Sequence, residues 1–164
     1  MCFFPKDKWQ KFIPTENYLE AVSKLDTIDK LHNYMKLNLR YVSDVKDYWQ
    51  TPEETLIRSA GDCEDMARFA IDVLVRVQKL DDVRFICYDG YYMKNGKKAR
   101  SGHAVCVFPV DEEYSFFSNN SLLEGFESYL QIGHESYPLG LKKMEIRNWQ
   151  NYLIDLRVRY FGTF

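Results

Sequence analysis

A cysteine at a helix start, followed forty residues later by a histidine entering a core strand, is the pair in this chain best suited to covalent chemistry. The cysteine is Cys63. Over residues 63–78 the apolar side chains Met66, Phe69, Ala70, Val73, Leu74 and Val77 keep helical spacing, while Glu64, Asp65, Arg68, Asp72 and Arg76 fall elsewhere. Asp62 stands in the cap position and Asp65 in the place of a capping-box acid, so Cys63 takes the first helical position. The N–H groups and partial positive charge of a helix start favour the thiolate, the nucleophilic form of cysteine. Among the three histidines only His103 begins a predicted core strand, and Gly102 before it allows another group to approach closely.

A third group usually orients such an imidazole. The next predicted strand, 114–117, ends in Ser118-Asn119-Asn120, which offers a side-chain carbonyl. Asn119 is the expected partner, because strand pairing must end near it and release its amide to turn towards His103. Strand alternation puts Ser118 and Asn120 on the opposite face, and they are the alternatives.

The acids around the nucleophile form a second constellation. Asp62, Glu64 and Asp65 suit the first turn of a helix, whose dipole stabilises them. They also flank a thiol that must ionise, and negative neighbours oppose that ionisation. A hard divalent cation held by oxygen ligands, Ca²⁺ above all, would offset them, and these three residues are its candidate ligands.

Other elements must place these groups. Ile28, Leu31, Tyr34, Met35 and Leu39 make a helical stripe over 27–40, with His32 beside it as an ordinary helix histidine. Thr51-Pro52-Glu53-Glu54 is a strong start for a short helix to about Arg58. Residues 83–92 and 103–110 read as strands, with Asn95-Gly96 as a hairpin turn between them. Residues 121–130 suggest a short helix, 131–141 a loop, and 146–160 helical spacing, with 156–160 equally compatible with a strand. Trp49 reads as a core residue; its alternative is a cleft wall that donates an N–H to an oxyanion.

The whole chain sets the outer limits. Its 164 residues fit one domain, 1–164, and a net charge of -2 without a Lys/Arg run argues against a nucleic-acid surface. The N-terminus lacks the pattern of a secretory signal, and no apolar run is long enough to span a bilayer, so a cytoplasmic protein without membrane partners is expected. Cys2, Cys63, Cys87 and Cys106 form no Cys-x-x-Cys pair, and all but Cys63 read as inert thiols.

Three stretches carry a resemblance to a known family: Tyr48-Trp49-Gln50-Thr51-Pro52-Glu53-Glu54-Thr55-Leu56, then Gly61-Asp62-Cys63-Glu64-Asp65-Met66-Ala67, then Gly102-His103-Ala104-Val105. Together they resemble the transglutaminase-like superfamily, especially the bacterial transglutaminase-like cysteine proteinases, over residues 47–120. The resemblance implies a papain-like α+β fold in which a Cys-bearing helix packs on an antiparallel sheet. It also implies a Cys, His, Asp triad, from which this chain departs, because Ser118-Asn119-Asn120 contains no Asp. Asn fills the third role in papain-like enzymes. Some bacterial relatives use calcium around the Asp-Cys-Glu-Asp motif, which again implies Asp62, Glu64 and Asp65. The function expected is hydrolysis of an amide bond in a protein or peptide substrate through a Cys63 acyl-enzyme, with no cofactor required beyond the possible Ca²⁺. Acyl transfer to an amine, or a binding module on the same fold, are the alternatives.

Overall fold

Polar caps fix where the helices begin. Thr15, Thr27, Thr51, Asp62 and Ser128 each hold extended backbone and accept, through a side-chain oxygen, from the amide three residues on. They open α1 (Glu16–Ser23), α2 (Ile28–Asn38), α3 (Pro52–Arg58), α4 (Cys63–Arg76) and α5 (Tyr129–Ser136). The computed structural model describes residues 9–44 and 46–158; Cys2, the N-terminal residues read above and Tyr160 lie outside them. Helices α2, α3 and α4 stand where the sequence places them. Helix α1 buries only Tyr18 and Val22, too short a stripe to show in the sequence.

Among the described residues the strands make two sheets. β1 (Arg40–Tyr41) and β2 (Ala60–Gly61) form a short parallel pair. β3 (Arg84–Lys94), β4 (Lys97–Val110), β5 (Glu113–Ser118), β6 (Ser121–Phe126), β7 (Leu141–Asn148) and β8 (Leu153–Val158) form an antiparallel sheet in the order β6-β5-β4-β3-β7-β8. Asn95 and Gly96, at φ 51° and 74°, make the expected tight turn between β3 and β4.

That turn moves the start of β4. Lys94 pairs with Lys97 and the ladder runs unbroken to Arg84 opposite Val107, so His103 lies in mid-strand rather than at a strand start. Three further expectations are corrected. Residues 121–126 are strand, not helix, because the turn at Asn119-Asn120 closes a hairpin that pairs Ser121 with Ser118. Helix α5 then occupies much of the expected loop. Gly133 does not break it; it lets Tyr88 and Leu141 pack closely, since a Cβ there would lie 2.8 Å from Tyr88 Cε1. Finally, the helical spacing over 146–160 belongs to β7 and β8, joined by a turn in which Asn151 takes φ 68°.

Each sheet face has its own core. Met66, Phe69, Ala70, Val73 and Leu74 of α4 pack on Phe85, Cys87, Ala104, Cys106 and Phe108, with α1 and α2 completing this cluster. Ile86, Tyr88, Val105, Val107 and Phe116 face the other way, under Ile132 of α5. Full burial of a side chain such as Phe69 stabilises by about 1.5–3 kcal/mol, so the α4 face alone fixes the helix on the sheet. The result is the expected α+β arrangement, a Cys-bearing helix on an antiparallel sheet. No helix among the described residues is long and apolar enough to cross a membrane.

Candidate active site

The turn that carries Cys63 is built from β2 and the α4 cap. Gly61 ends β2 directly behind the cap, and a Cβ on it would lie 2.6 Å from Asp65 Cβ, so only glycine lets the strand pass this close to the helix. Asp62 Oδ1 accepts from the Asp65 amide at 3.3 Å, and Asp65 Oδ2 accepts from the Asp62 amide at 3.1 Å. Cys63 follows, half-buried, as the first residue of α4.

Asp65 also ties this turn to the chain before α3. Its carboxylate accepts from the Gln50 amide at 2.7 Å and from Gln50 Nε2 at 2.8 Å, while Arg68 Nη1 donates to the Gln50 carbonyl at 2.6 Å. Burial is the main reason that the Asp65 carboxyl titrates high, at about 6, against the opposing donors. The Trp49-Gln50-Thr51 stretch of the sequence motif is therefore a bracket for the turn that carries Cys63. Trp49 itself is buried, stacks on Phe85 at 5.8 Å, and donates its N–H to Asp47 Oδ1 at 3.3 Å. It is the core residue of the first reading, not an oxyanion donor.

Glu64 stands beside the thiol. Cys63 Sγ donates to Glu64 Oε2 at 2.9 Å, and Glu64 is mostly buried. Its negative charge also reaches His103, where it favours the imidazolium. Burial has the larger effect and holds the His103 pKa below its ordinary value. Glu64 is thus a neighbour common to the two predicted catalytic side chains, and α4 lies mainly along β4, the strand that carries His103.

The third position differs from the expectation. His103 Nε2 lies 2.8 Å from Ser118 Oγ. Ser118 pairs with Val105 and shares a strand face with Phe116, the parity that His103 follows with Val105 and Val107. Asn119, the residue expected there, sits at φ 52° in the β5–β6 turn. Strand pairing ends at Ser118, as that expectation assumed, yet it is Ser118 and not the freed amide that meets the imidazole. Its buried Oδ1 has no hydrogen-bond partner among the described residues. Asn120 is engaged elsewhere: its Nδ2 donates to the Leu39 carbonyl at 2.9 Å, fastening the β5–β6 turn beside β1.

The acidic set is also regrouped. Asp44, Asp62 and Asp65 each offer an oxygen within 4.8 Å of the others. Glu64, expected to be the third member, is instead turned to the Cys63 thiol. Asp44 is remote in sequence and no local motif marks it; the parallel pairing of β1 with β2 carries it to the α4 cap. Burial, then the charges of Glu64 and Asp65, push the Asp62 carboxyl up to about 8. Tyr41 on β1 is a second residue that sequence reasoning missed. Partial burial, then the nearby Cys63 and Asp62, raise its phenol pKa. Of the other cysteines, Cys87 and Cys106 are buried in the core, and burial pushes the Cys106 thiol well above its ordinary value.

No family model matches the chain, and no curated protein matches it. Solved structures do. A Legionella pneumophila LapG structure covers 66% of this chain and 63% of its own at 23% identity, with a TM-score of 0.46, so the chain spans less than two thirds of that protein. The EGTA-treated form of LapG covers 66% and 62% at 23% identity, TM-score 0.47. Calcium-bound LapG covers 88% of this chain and 76% of its own at 21% identity, with a TM-score of 0.53. The last of these shows the fold: transglutaminase-like, as the sequence resemblance implies.

Proposed function

We propose that this chain is one domain of the transglutaminase-like superfamily that hydrolyses amide bonds in a protein or peptide, with Cys63 as nucleophile, His103 as general base and Ser118 orienting the imidazole. One observation supports it above the others: Cys63 opens α4, α4 lies along β4, and Glu64 stands against the thiol while acting on His103. LapG, whose fold the chain shares, is a transglutaminase-like cysteine protease. In the proposed reaction the Cys63 thiol gives its proton to the His103 imidazole as its sulfur bonds to the substrate carbonyl carbon. The C–N bond breaks as the His103 imidazolium gives its proton to the leaving amine. Water, deprotonated by the same imidazole, then splits the thioester into a carboxylate and the restored thiol.

The donor set at the α4 cap fits a calcium ion. Asp44, Asp62 and Asp65 carry hard oxygens close together, and Asp62 holds a proton where a cation would serve. The LapG structure with which this chain aligns over 88% of its length is calcium-bound. These three residues would hold the ion, with carbonyls and waters completing about six to eight oxygens. Bound there, it would supply positive charge beside the thiol.

The test is acylation by p-nitrophenyl acetate, followed as a burst of nitrophenolate and as an acetyl adduct in the intact mass. Cys63→Ala should abolish both, and His103→Ala should slow the burst by about a hundredfold or more, as for loss of a general base. An adduct on Cys87 or Cys106 in the native protein, or an unchanged burst in His103→Ala, overturns the reading. Adding a primary amine separates hydrolysis from acyl transfer, since a transferase converts the acetyl group into an amide.

A further inference from the structure

A cavity of about 750 Å³ lies on the far face of α4, away from the nucleophile turn. Arg68, Ile71, Asp72, Val75, Arg76 and Lys79 form its floor at helical spacing. The segment from Trp9 to Phe12 makes one wall and the β7–β8 turn, with Trp149 and Tyr152, the other. Its size suits a small organic ligand, for which sites of about 300–1,000 Å³ are usual.

The lining has a chemical bias. Asp72 is its one carboxylate, and it is already held by Arg76 at 2.7 Å and by the Tyr18 hydroxyl at 2.7 Å. Lys11, Arg68 and Lys79 are the further cations of the lining, and of these Arg68 feels the charges of Asp65, Glu54 and Asp72 without a hydrogen bond to any of them. Arg68 is only 3% exposed, and its guanidinium is met by two backbone carbonyls, Gln50 at 2.6 Å and Gln10 at 3.1 Å. Its Nε has no acceptor among the described residues. Burial disfavours this guanidinium more than the nearby carboxylates favour it, so a buried cation with an N–H left over is stabilised by an incoming anion.

The aromatic walls add a second requirement. Arg68 lies over the Trp9 ring at 4.7 Å, while Trp149 and Tyr152 are 41% and 68% exposed. Large exposed aromatic faces beside a cavity offer stacking surface for a planar ring. We infer that this cavity binds a small organic anion carrying an aromatic ring, an aryl sulfonate, carboxylate or phosphate ester, with the anion towards Arg68 and the ring against Trp149 and Tyr152. Arg68 also fastens Gln50, so the site adjoins the bracket of the Cys63 turn, but none of its lining residues is assigned to the thiol chemistry.

Naphthalene-2-sulfonate is the probe, with 2-naphthol for the ring alone and inorganic sulfate for the charge alone, each titrated by calorimetry into the whole chain. The sulfonate should bind one to one, about tenfold or more tighter than either half-probe. Lys11 and Lys79 are exposed, and Lys79 Nζ donates to the Arg76 carbonyl at 2.6 Å, so the double variant Lys11→Glu, Lys79→Gln, which keeps a donor at position 79, should stay within a few degrees of the native melting temperature. It should weaken the sulfonate by about tenfold while leaving 2-naphthol within about twofold. Trp149→Ala should do the converse, weakening both ring-bearing probes. Sulfonate binding no tighter than 2-naphthol, or an affinity untouched by the loss of the two lysine charges, overturns the inference.

Discussion

Ser118 Oγ stands 2.8 Å from His103 Nε2, in the place where a triad would hold a carboxylate or an amide. A hydroxyl can fix the ring but brings no charge to stabilise an imidazolium. Burial already disfavours that imidazolium, and Glu64 is the group that acts for it.

Ser118→Ala removes the orienting hydrogen bond and little else. A neutral hydrogen bond contributes about 1 kcal/mol, so kcat/KM for ester or peptide turnover should fall by roughly five- to tenfold. Ser118→Asp adds the missing charge and should raise the His103 pKa, measured by its imidazole proton shifts. A kcat/KM unchanged in Ser118→Ala would remove Ser118 from the site.

Glu64→Gln keeps an oxygen for the Cys63 thiol and takes away the charge. Because the Glu64 charge raises the His103 pKa, the variant should titrate His103 lower still than the native protein. A carboxylate holds the proton on a thiol that a neutral amide releases, so Cys63 alkylation by iodoacetamide should quicken at neutral pH. Equal His103 titration in the two proteins would show that the charge does not reach the ring.

What the sequence made legible is what short-range chemistry determines. Asp62, Cys63 and Asp65 declare a capping box within four positions, and α4 forms as that pattern requires. Ser118 is not legible in the sequence because its partner depends on the register of β5 against β4, and the end of strand pairing that singles out Asn119 does not fix where a side chain in a left-handed turn points. Asp44 reaches the cap only through the parallel β1–β2 pair, whose four residues carry no strand signature. In β7 and β8, Ile146, Leu153 and Leu156 match helical spacing by coincidence, and the ladder to β3 overrides it.

Asp62 makes stability depend on pH in a stated direction. Its folded pKa of about 8 lies above the ordinary 3.8, so the folded protein holds a proton that the unfolded chain releases. The stabilisation is complete below about pH 4 and is lost as pH rises towards 8. With a chelator present, the melting temperature should therefore fall over this window through Asp62. Asp62→Asn retains a capping oxygen and should flatten the fall. Added Ca²⁺ should restore the native protein most at the alkaline end, where the cation replaces the lost proton. A native profile parallel to that of Asp62→Asn would remove Asp62 as the source.

Gly61→Ala tests whether the close passage of β2 behind the cap holds the nucleophile turn. The new Cβ would meet Asp65 Cβ at 2.6 Å and Oδ2 at 3.0 Å, and Asp65 is fully buried with three nitrogen donors on its carboxylate. The contact is with the root of the side chain, so no distal rotation relieves it, and either β2 or the first turn of α4 must shift. Overpacking of this kind costs about 1–3 kcal/mol. For a chain of this size that lowers the melting temperature by roughly 2–10 °C. The shift also loosens the hydrogen bonds from Gln50 to Asp65, so the burst of nitrophenolate should fall even at temperatures where the variant is fully folded by circular dichroism. A variant with native melting temperature and native burst would mean that the turn tolerates a side chain at position 61, and that the close approach of strand and cap does not position Cys63.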